Sequence, residues 1–435
     1  MCDTLVAVGD ATAAGVTLFG KNSDRKRGEC QSLLQFAEAI HPEKSRVRCT
    51  HIEIPQVAET YRVLGHSPWW VWGFEQGVNE HAVAVGNLTV FSNEPIEEAP
   101  GLIGMDLVRL ALERGRSARE ALEVIATLIE YYGQGGSANA PGADGYHNGF
   151  LLADAEEAWI LETSNRHWAA RRARLDSCSN QYSLGDDWEI GSRDFESFAR
   201  GRGWWRNHGR VNVATAYRNR LVPASISEQR YQRSQQLLEF GRGRHDVANF
   251  TRMLRDHGAG HSVWSPSGDA ARDFHSTLCA HSGPIAWTTA SLVAPLPPDA
   301  AQPWPVWVSF GTPCTGIFLP VYLVGVIPAT LARGSEYHDP DSAWWAFERL
   351  DSAAAVDNAR ATPVLRAGWA ALEQRIEVER VQAEVEAQAE IAADRPQRAA
   401  EILTKFMDGS VVAAIERSRE LLVQLRPAAR AGRAR

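Results

Sequence analysis

Cysteine is scarce in this sequence. Among 435 residues there are six cysteines, namely Cys2, Cys30, Cys49, Cys178, Cys279 and Cys314. No two of them form a C-x-x-C pair, so the pattern excludes a disulfide scaffold and argues against a cysteine-rich zinc site. Scattered cysteines are typical of a reducing cytosol, and we expect a cytoplasmic location.

An excess of positive charge is also lacking. Lys and Arg number 45 against 53 Asp and Glu, which gives a formal net charge of −8. Neutralising a phosphate backbone requires concentrated Lys and Arg. We therefore predict no nucleic-acid partner.

Long uninterrupted apolar runs are absent as well. Residues 300–332 carry no charged side chain, but five prolines divide them into strand-length pieces, whereas a membrane helix needs about 20 continuous apolar residues. We predict buried strands here and no membrane association. Asp3 and Asp10 interrupt the first residues, so we also expect no secretory signal peptide.

The patterns that are present alternate between strands and helices. Apolar and β-branched residues with intervening turn residues predict a hairpin at each of two places. The predicted strands are 2–8 with 16–19, 81–85, 150–153 with 159–162, and 168–174. Between them, helical periodicity predicts Met105–Arg114 and a second helix that ends near Tyr132. Ser117 and Glu120 match a capping box at the start of that second helix.

A change in composition near residue 335 divides the chain. We predict one catalytic-type domain over residues 2–335 and a helical extension over residues 336–435. The helices of the extension are predicted at 341–350, 353–390 and 399–424, with a break at Asp394-Arg395-Pro396. We interpret it as packed on the main body or at a homo-oligomer interface.

The second residue is the most unusual candidate for chemistry. Initiator methionine is normally removed when a small side chain follows it, so we expect the mature chain to begin at Cys2. An α-amine has a pKa of ~7.7–8.0 and can take the proton of the thiol on the same residue. Cys2 would then be nucleophile and base together. The alternative is an ordinary second residue of a cytosolic protein.

A polar run, Phe19–Arg25, closes the first predicted hairpin. A hairpin returns its second strand beside the first, so these residues are expected near Cys2. Asp24 would balance the ammonium formed when the amine takes a proton, and Lys21 would stabilise a thiolate. The alternative is a solvated turn.

These and further segments resemble the secernins, within the wider dipeptidase A-like family of cysteine N-terminal-nucleophile hydrolases. The similar segments are Cys2-Asp3-Thr4, Phe19–Arg25, 77–81, Gly104–Gly115, Gly133–Gly136, 158–163, 203–205, 288–291 and 311–314. The resemblance implies an α+β fold, a four-layer αββα sandwich of two antiparallel sheets. It also implies hydrolysis of C–N amide bonds without a metal or other cofactor.

The resemblance further implies the site residues. Cys2 is carried over as nucleophile and base, and Asp24 as its contact. Lys21 stands where related bile salt hydrolases and penicillin V acylases have arginine, so the charge is kept but the planar fork is not. Asn87 and Asn180 are the candidates for the oxyanion hole, although the relatives' first asparagine aligns two positions later, at Thr89. Their late arginine is not assigned here.

The remaining histidines are interpreted as polar contacts rather than ligands, and we predict no metal site. The histidines considered are His66, His81, His147 and His281. The function expected first is a dipeptidase with a small peptide substrate. One alternative is an acylase that cleaves N-acyl amides at the same site. The other is a non-catalytic, secernin-like interaction protein that binds through its helical extension.

Overall fold

The computed structural model describes residues 1–97, 99–139, 145–258, 277–282 and 286–425. Its strands, numbered in chain order, are Cys2–Ala7 (β1), Thr17–Arg25 (β2), Gln31–Phe36 (β3), Ala39–Ile40 (β4), Arg46–Arg48 (β5), Glu53–Pro55 (β6), Glu59–Thr60 (β7), Val63–Pro68 (β8), Gln76–Asn79 (β9), Ala84–Val90 (β10), His147–Ala153 (β11), Ala158–Ser164 (β12), His167–Ala173 (β13), Leu175–Cys178 (β14), Ile190–Gly191 (β15), His281–Ser282 (β16), Ala286–Leu296 (β17), Val306–Phe310 (β18) and Leu319–Val321 (β19).

The helices are Gly104–Arg114 (α1), Ala118–Tyr132 (α2), Phe195–Gly201 (α3), Val213–Ala216 (α4), Glu228–Gly241 (α5), Val247–Leu254 (α6), Ala329–Ala332 (α7), Ala343–Ala354 (α8), Asn358–Ala392 (α9) and Pro396–Leu425 (α10). No helix in these ranges combines the length and apolar character that crossing a membrane requires.

Two antiparallel sheets form the centre of the molecule. The first has the strand order β14-β1-β2-β17-β18-β19, with β16 beside β17. The second has the order β15-β13-β12-β11-β10-β9-β8-β3. Their inner faces pack against each other through one hydrophobic cluster that includes Val6, Phe19, Leu88 and Ile160. The strand that begins at Cys2 is therefore covered on its inner face by the second sheet.

Helices cover both outer faces. On the second sheet, Val85 and Leu152 pack with residues of α1 and α2 such as Leu107. On the first sheet, Leu5 packs with residues of α5 and α6 such as Phe250. The layer order is αββα, which confirms the predicted fold class.

Most locally encoded elements lie where the sequence predicts them. The hairpin of β11 and β12, strand β13, helices α1 and α2, and the break before Pro396 are confirmed. Ser117 Oγ accepts from Glu120 N at 3.1 Å, as in a capping box, but the Glu120 carboxylate accepts from Arg116 N instead of Ser117 N. The apolar segment 300–332 forms β18, β19 and the short α7.

The strand predicted at 81–85 is wrong in its start. Residues 80–83 form the turn between β9 and β10, and β10 begins only at Ala84. Asn79 Oδ1 accepts from the backbone N–H groups of His81 and Val83 at 3.0 and 3.1 Å. Ala82 takes a positive φ of 55°. An asparagine that bonds the backbone ahead of it favours a turn over a strand.

The C-terminal helices pack on the sheets. Trp344 and Trp369 are fully buried. Their indole N–H groups donate to the backbone oxygens of Thr289 and Thr315, at 3.0 and 2.8 Å. Residues of α8, α9 and α10 belong to the same hydrophobic cluster as the space between the sheets.

Deleting residues 336–435 should therefore prevent folding. The deletion exposes the apolar surface that Trp344 and Trp369 cover, and such large losses of burial exceed the stability of an ordinary domain. We expect dye binding by exposed apolar surface and no cooperative thermal transition in circular dichroism. A cooperative transition of the fragment 1–335 would contradict this packing account.

Candidate active site

The alternation of β1 gives Cys2 and Asp3 opposite faces. Cys2 lies in the space between the sheets and is 4% exposed. Asp3 faces helix α5, where it pairs with Arg230, and is also buried. Cys2 pairs with Ser23 of β2 in the antiparallel register. The register brings the polar end of β2 beside the first residues, as the hairpin predicted.

The polar run of β2 is not the solvated turn given as the alternative. All residues from Thr17 to Arg25 belong to one strand and are buried. Their side chains instead bond to distant segments: Asn22 Nδ2 donates to the backbone oxygens of Leu254 and Leu278, at 2.9 and 2.8 Å. Buried polar groups need such partners.

Asn180 holds the backbone nitrogen of Cys2. Its Oδ1 accepts from Cys2 N at 2.9 Å, and its Nδ2 donates to Thr89 O at 3.0 Å. The nitrogen of Cys2 would become the α-amine if Met1 were removed. The structure therefore places Asn180, a predicted site residue, beside the nitrogen atom that is proposed as the base.

Arg230 completes this contact, and sequence reasoning did not find it. Its Nη2 donates to Asn180 Oδ1 at 2.8 Å and its Nη1 to Cys2 O at 3.2 Å. It also forms a fully buried ion pair with Asp3. On α5 the buried positions are Arg230, Ser234, Leu238 and Gly241. An arginine at the start of the buried face of a helix is the sequence signal that identifies it.

Replacing Arg230 with methionine should destabilise the fold strongly. Removing one partner of a buried ion pair leaves an unpaired charge, which costs about 3–5 kcal/mol of unfolding free energy. The double variant Asp3→Asn/Arg230→Met should lose less, because no unpaired charge is left. Urea unfolding of the three chains measures both losses. A double variant less stable than Arg230→Met would contradict the pairing.

Asp24 lies one residue beyond the partner of Cys2. Its backbone N–H donates to Met1 O at 2.7 Å, and its backbone oxygen accepts from the Met1 amino group at 2.6 Å. Its Oδ1 accepts from Thr288 Oγ1 at 2.7 Å. Its Oδ2 is buried and accepts no hydrogen bond from the described residues. Asp24 is thus fixed beside the first residues with one oxygen unused.

Opposing effects act on the pKa of the Asp24 carboxyl. Burial raises the pKa of its carboxyl from 3.8 to about 6, while the positive amino terminus acts to lower it. Asp3 raises this pKa and Arg230 lowers it. Burial therefore raises the pKa of this carboxyl toward neutral pH, and the carboxyl lies within electrostatic reach of the Met1 amino group.

Lys21 has partners other than Cys2. It lies on the inner face of β2 and is fully buried. Its Nζ donates to Gln76 Oε1 at 3.1 Å and lies 3.7 Å from Glu75 Oε2. Glu75 also pairs with Arg25, whose Nη1 lies 3.0 Å from Glu75 Oε1. Lys21 therefore belongs to a buried charge network on the face of β2 that Cys2 also faces.

Asn87 faces away from that space. Gly86 faces inward, since a Cβ there would lie 2.5 Å from Lys21 Cδ, and successive side chains of a strand alternate in direction. With its nitrogen turned toward acceptors, the Asn87 amide donates to Glu75 Oε2 and Glu75 O, both at 3.0 Å. In this orientation the side-chain oxygen of Asn87 accepts from the side-chain amide of Asn148 at 3.1 Å. None of these contacts reaches Cys2.

The αββα order of layers, with Cys2 at the start of an interior strand and Asn180 Oδ1 on its backbone nitrogen, is the architecture that the resemblance implied. The sequence profile of Peptidase family C69 matches residues 1–239. Because the match covers more than half of the chain, the chain belongs to Peptidase family C69.

Curated relatives carry peptidase names. The dipeptidase of Bifidobacterium longum (strain NCC 2705) is 27% identical over an alignment of 197 residues, and the match covers 39% of this chain and 35% of that protein. The probable dipeptidase A of Streptococcus pyogenes serotype M3 (strain SSI-1) is 27% identical over an alignment of 192 residues, and the match covers 40% of this chain and 38% of that protein. The chain thus spans little more than a third of the length of these relatives.

The comparison with solved structures found partial similarity to a conjugated bile acid hydrolase and a penicillin V acylase. The C2A mutant of conjugated bile acid hydrolase from Clostridium perfringens has a TM-score of 0.41 at 12% identity, covering 71% of this chain and 89% of that one. Penicillin V acylase from Agrobacterium tumefaciens has a TM-score of 0.41 at 14% identity, covering 74% and 86%.

Proposed function

We propose that this protein is a cysteine dipeptidase whose nucleophile is Cys2 in a chain that has lost Met1. One observation carries the proposal: Cys2 N lies 2.9 Å from Asn180 Oδ1, inside a buried polar cluster. Removal of a single residue would leave an α-amine already held on that acceptor. Family membership and the names of the curated relatives support the reaction class.

The proposed reaction uses the amine as the base. The amine takes the thiol proton, and the sulfur attacks the carbonyl carbon of the peptide bond. The C–N bond then breaks, and the leaving amine receives the proton from the ammonium. Water attacks the resulting thioester, releases the acid and restores the thiol. Asp24 supplies a negative charge near the ammonium formed in the first step.

Asn180 is our candidate donor to the oxyanion. Its amide nitrogen has two N–H bonds, one of which is directed at Thr89 O, so the second is available for a developing negative charge. The contacts of Asn87 give that residue no comparable support. We assign to Asn87 the positioning of Glu75, and to Lys21 the neutralisation of the same carboxylate.

Turnover by the Met1-free chain on a substrate panel tests the proposal. The panel contains dipeptides, matched N-acyl amino acids and longer peptides. We expect dipeptides to have the highest kcat/KM. Preference for N-acyl amides would replace the dipeptidase with an acylase at the same site. No turnover of any substrate by a chain that begins at Cys2 would reject the enzyme and favour a non-catalytic interaction protein.

The pH profile should have two acidic limbs. Protonation of an α-amine begins below a pH of ~7.7–8.0, so log kcat/KM falls with a slope near 1. Protonation of Asp24 below about pH 6 removes the charge that stabilises the ammonium, so the slope approaches 2. An Asp24→Asn variant should keep the first limb and lose the second. A wild-type slope of 1 down to pH 5 would contradict a role for the Asp24 charge.

We propose a reducing compartment for this reaction, in agreement with the six unpaired cysteines. A nucleophilic thiol is lost when it forms a mixed disulfide, and the cytosol opposes that reaction. Fractionation of cells, with an antibody against the chain, tests this location. Recovery in an oxidising compartment would contradict it.

A further inference from the structure

A second cluster of nucleophilic and basic side chains lies apart from Cys2. It consists of His257, Cys279, His281 and Cys314, which we call the His-Cys cluster. All four side chains are buried, and each offers one nitrogen or sulfur atom. These four atoms lie within 4.8 Å of one another. The proposed dipeptidase chemistry uses none of them.

Three separate segments deliver these residues. His257 follows α6, Cys279 and His281 stand on either side of Ala280 at the start of β16, and Cys314 follows β18. The side chains of Cys279 and His281 converge, with Cys279 Sγ 3.3 Å from His281 Nε2. Cys279 N donates to Asp256 O at 3.2 Å, which ties this segment to the one that carries His257.

The interatomic distances suit a shared metal ion. His281 Nε2 lies 3.3 Å from Cys279 Sγ and 3.1 Å from Cys314 Sγ. A tetrahedral zinc ion with Zn–S near 2.3 Å and Zn–N near 2.0–2.1 Å places its ligand atoms about 3.3–3.8 Å apart. These two separations differ from that range by a few tenths of an ångström, and the four atoms, all within 4.8 Å of one another, would close by up to about 1 Å on binding. Two thiolates and two imidazoles are a common ligand set of zinc.

Outer contacts orient the ligands. The side-chain amide of Asn358 lies 3.3 Å from His281 Nδ1, so the other ring nitrogen faces the two sulfurs. Thr312 and Thr315, on either side of Cys314, donate to Asp351 Oδ1 at 2.5 and 3.2 Å. Ligands in metal sites are characteristically held by such second hydrogen bonds.

We propose that the His-Cys cluster is a structural site for one divalent transition metal ion, with zinc as the ion expected. Four protein ligands close a tetrahedral coordination sphere, which leaves no position for a substrate. On binding, the two thiols lose their protons to solvent and both sulfurs bond to the metal. The proposed ligands come from three separate segments without a C-x-x-C pair, so cysteine spacing did not predict a metal site.

The site would also support Asp24. Ala280, between two of the ligands, donates its N–H to Thr288 Oγ1 at 2.9 Å, and its oxygen accepts from Thr288 N at 3.1 Å. Thr288 Oγ1 in turn donates to Asp24 Oδ1 at 2.7 Å. A metal that fixes the segment around Ala280 therefore fixes the hydroxyl that holds Asp24. The metal proposal does not depend on the proposed peptidase activity.

Metal content of the purified full-length chain tests the proposal. After growth with added zinc and gel filtration, plasma mass spectrometry should find about one zinc per chain. The variants Cys314→Ser and His281→Gln should retain less than about 0.2 zinc ions per chain. Cys49→Ser, which removes an equally buried thiol elsewhere, should retain the full amount. No bound metal, or equal metal in all four chains, would overturn the proposal.

A second measurement tests the site without ligand variants, in case those variants fail to fold. Wild-type chain treated with a chelator and then titrated with Co²⁺ should develop the intense visible bands of tetrahedral cobalt and a thiolate-to-metal charge-transfer band. A Cys2→Ser chain should give the same spectrum, which excludes metal binding at the N-terminal residue. Octahedral cobalt bands, or a Cys279–Cys314 disulfide in the peptide map of freshly isolated protein, would overturn the site.

Discussion

Replacing Cys2 with alanine should lower kcat/KM for dipeptides by roughly 10⁴-fold or more, because removal of a covalent nucleophile leaves only binding and electrostatic effects. The fold should remain, since Cys2 sits at the end of β1 and loses one sulfur atom. Steady-state kinetics and a thermal melt, on chains shown by mass to begin at residue 2, give both quantities.

The matched control for this substitution is Cys49→Ala. Cys49 is as buried as Cys2 but lies in the cluster that packs against α1 and α2. Its activity should stay close to that of the wild type. Cys2→Ser, which keeps the α-amine but has a weaker nucleophile, should have intermediate activity. A Cys2→Ala chain that keeps more than about a tenth of wild-type turnover would reject the mechanism, because loss of a covalent nucleophile lowers the rate by orders of magnitude.

Replacing Asp24 with asparagine should lower kcat/KM by roughly 10²- to 10³-fold, in the range of an acid–base or charge-balancing group. The shape of the side chain is kept and Thr288 still has an oxygen to bond. The lost quantity is the negative charge beside the amino terminus, so the effect should be largest above pH 6, where that carboxyl is ionised.

The matched control for charge is Asp10→Asn. Asp10 is exposed and pairs with Arg174 at the surface, where ion pairs have small energies. The substitution removes one negative charge from the chain at a position that does not contact Cys2 or Asp24. Equal activity of the Asp24→Asn and Asp10→Asn chains at pH 7.5 would contradict the role of Asp24.

The parts of the fold that the sequence predicts are those with local signals. Helices α1 and α2 have apolar periodicity, a capping serine and glycine ends, and the first hairpin has alternating strands around a turn. β17 shows why the remainder is harder. It lies between β2 and β18 in the sheet although more than 250 residues separate it from β2 along the chain, and sequence patterns do not specify such non-local pairing.

The positions of the proposed site residues were predictable where those residues lie on the first hairpin. Cys2 and Asp24 follow from the chain start and the register of two adjacent strands. Asn87 shows the limit, because a change of one residue along a strand reverses the face of the sheet. Arg230 contacts Cys2 and Asn180 only because α5 packs on the first sheet. Recognising it as a site residue therefore requires the tertiary fold.

The His-Cys cluster was not predictable from the sequence for the same reason, namely that it forms only in the tertiary fold. Its four ligands converge from segments around residues 257, 280 and 314, and each segment alone reads as apolar strand or loop. The cysteine spacing that identifies many zinc sites is absent. Only the packing of α6 and the loop after β18 against β16 brings the sulfur and nitrogen atoms together.

Peptide mapping after brief alkylation with limiting reagent tests the central claim most directly. Burial raises the pKa of the Cys30 and Cys49 thiols to about 12, so both serve as slow internal references. We predict that Met1 is absent and that Cys2 is alkylated well ahead of both. Retention of Met1, or alkylation of Cys2 no faster than Cys30 and Cys49, would contradict an activated N-terminal nucleophile.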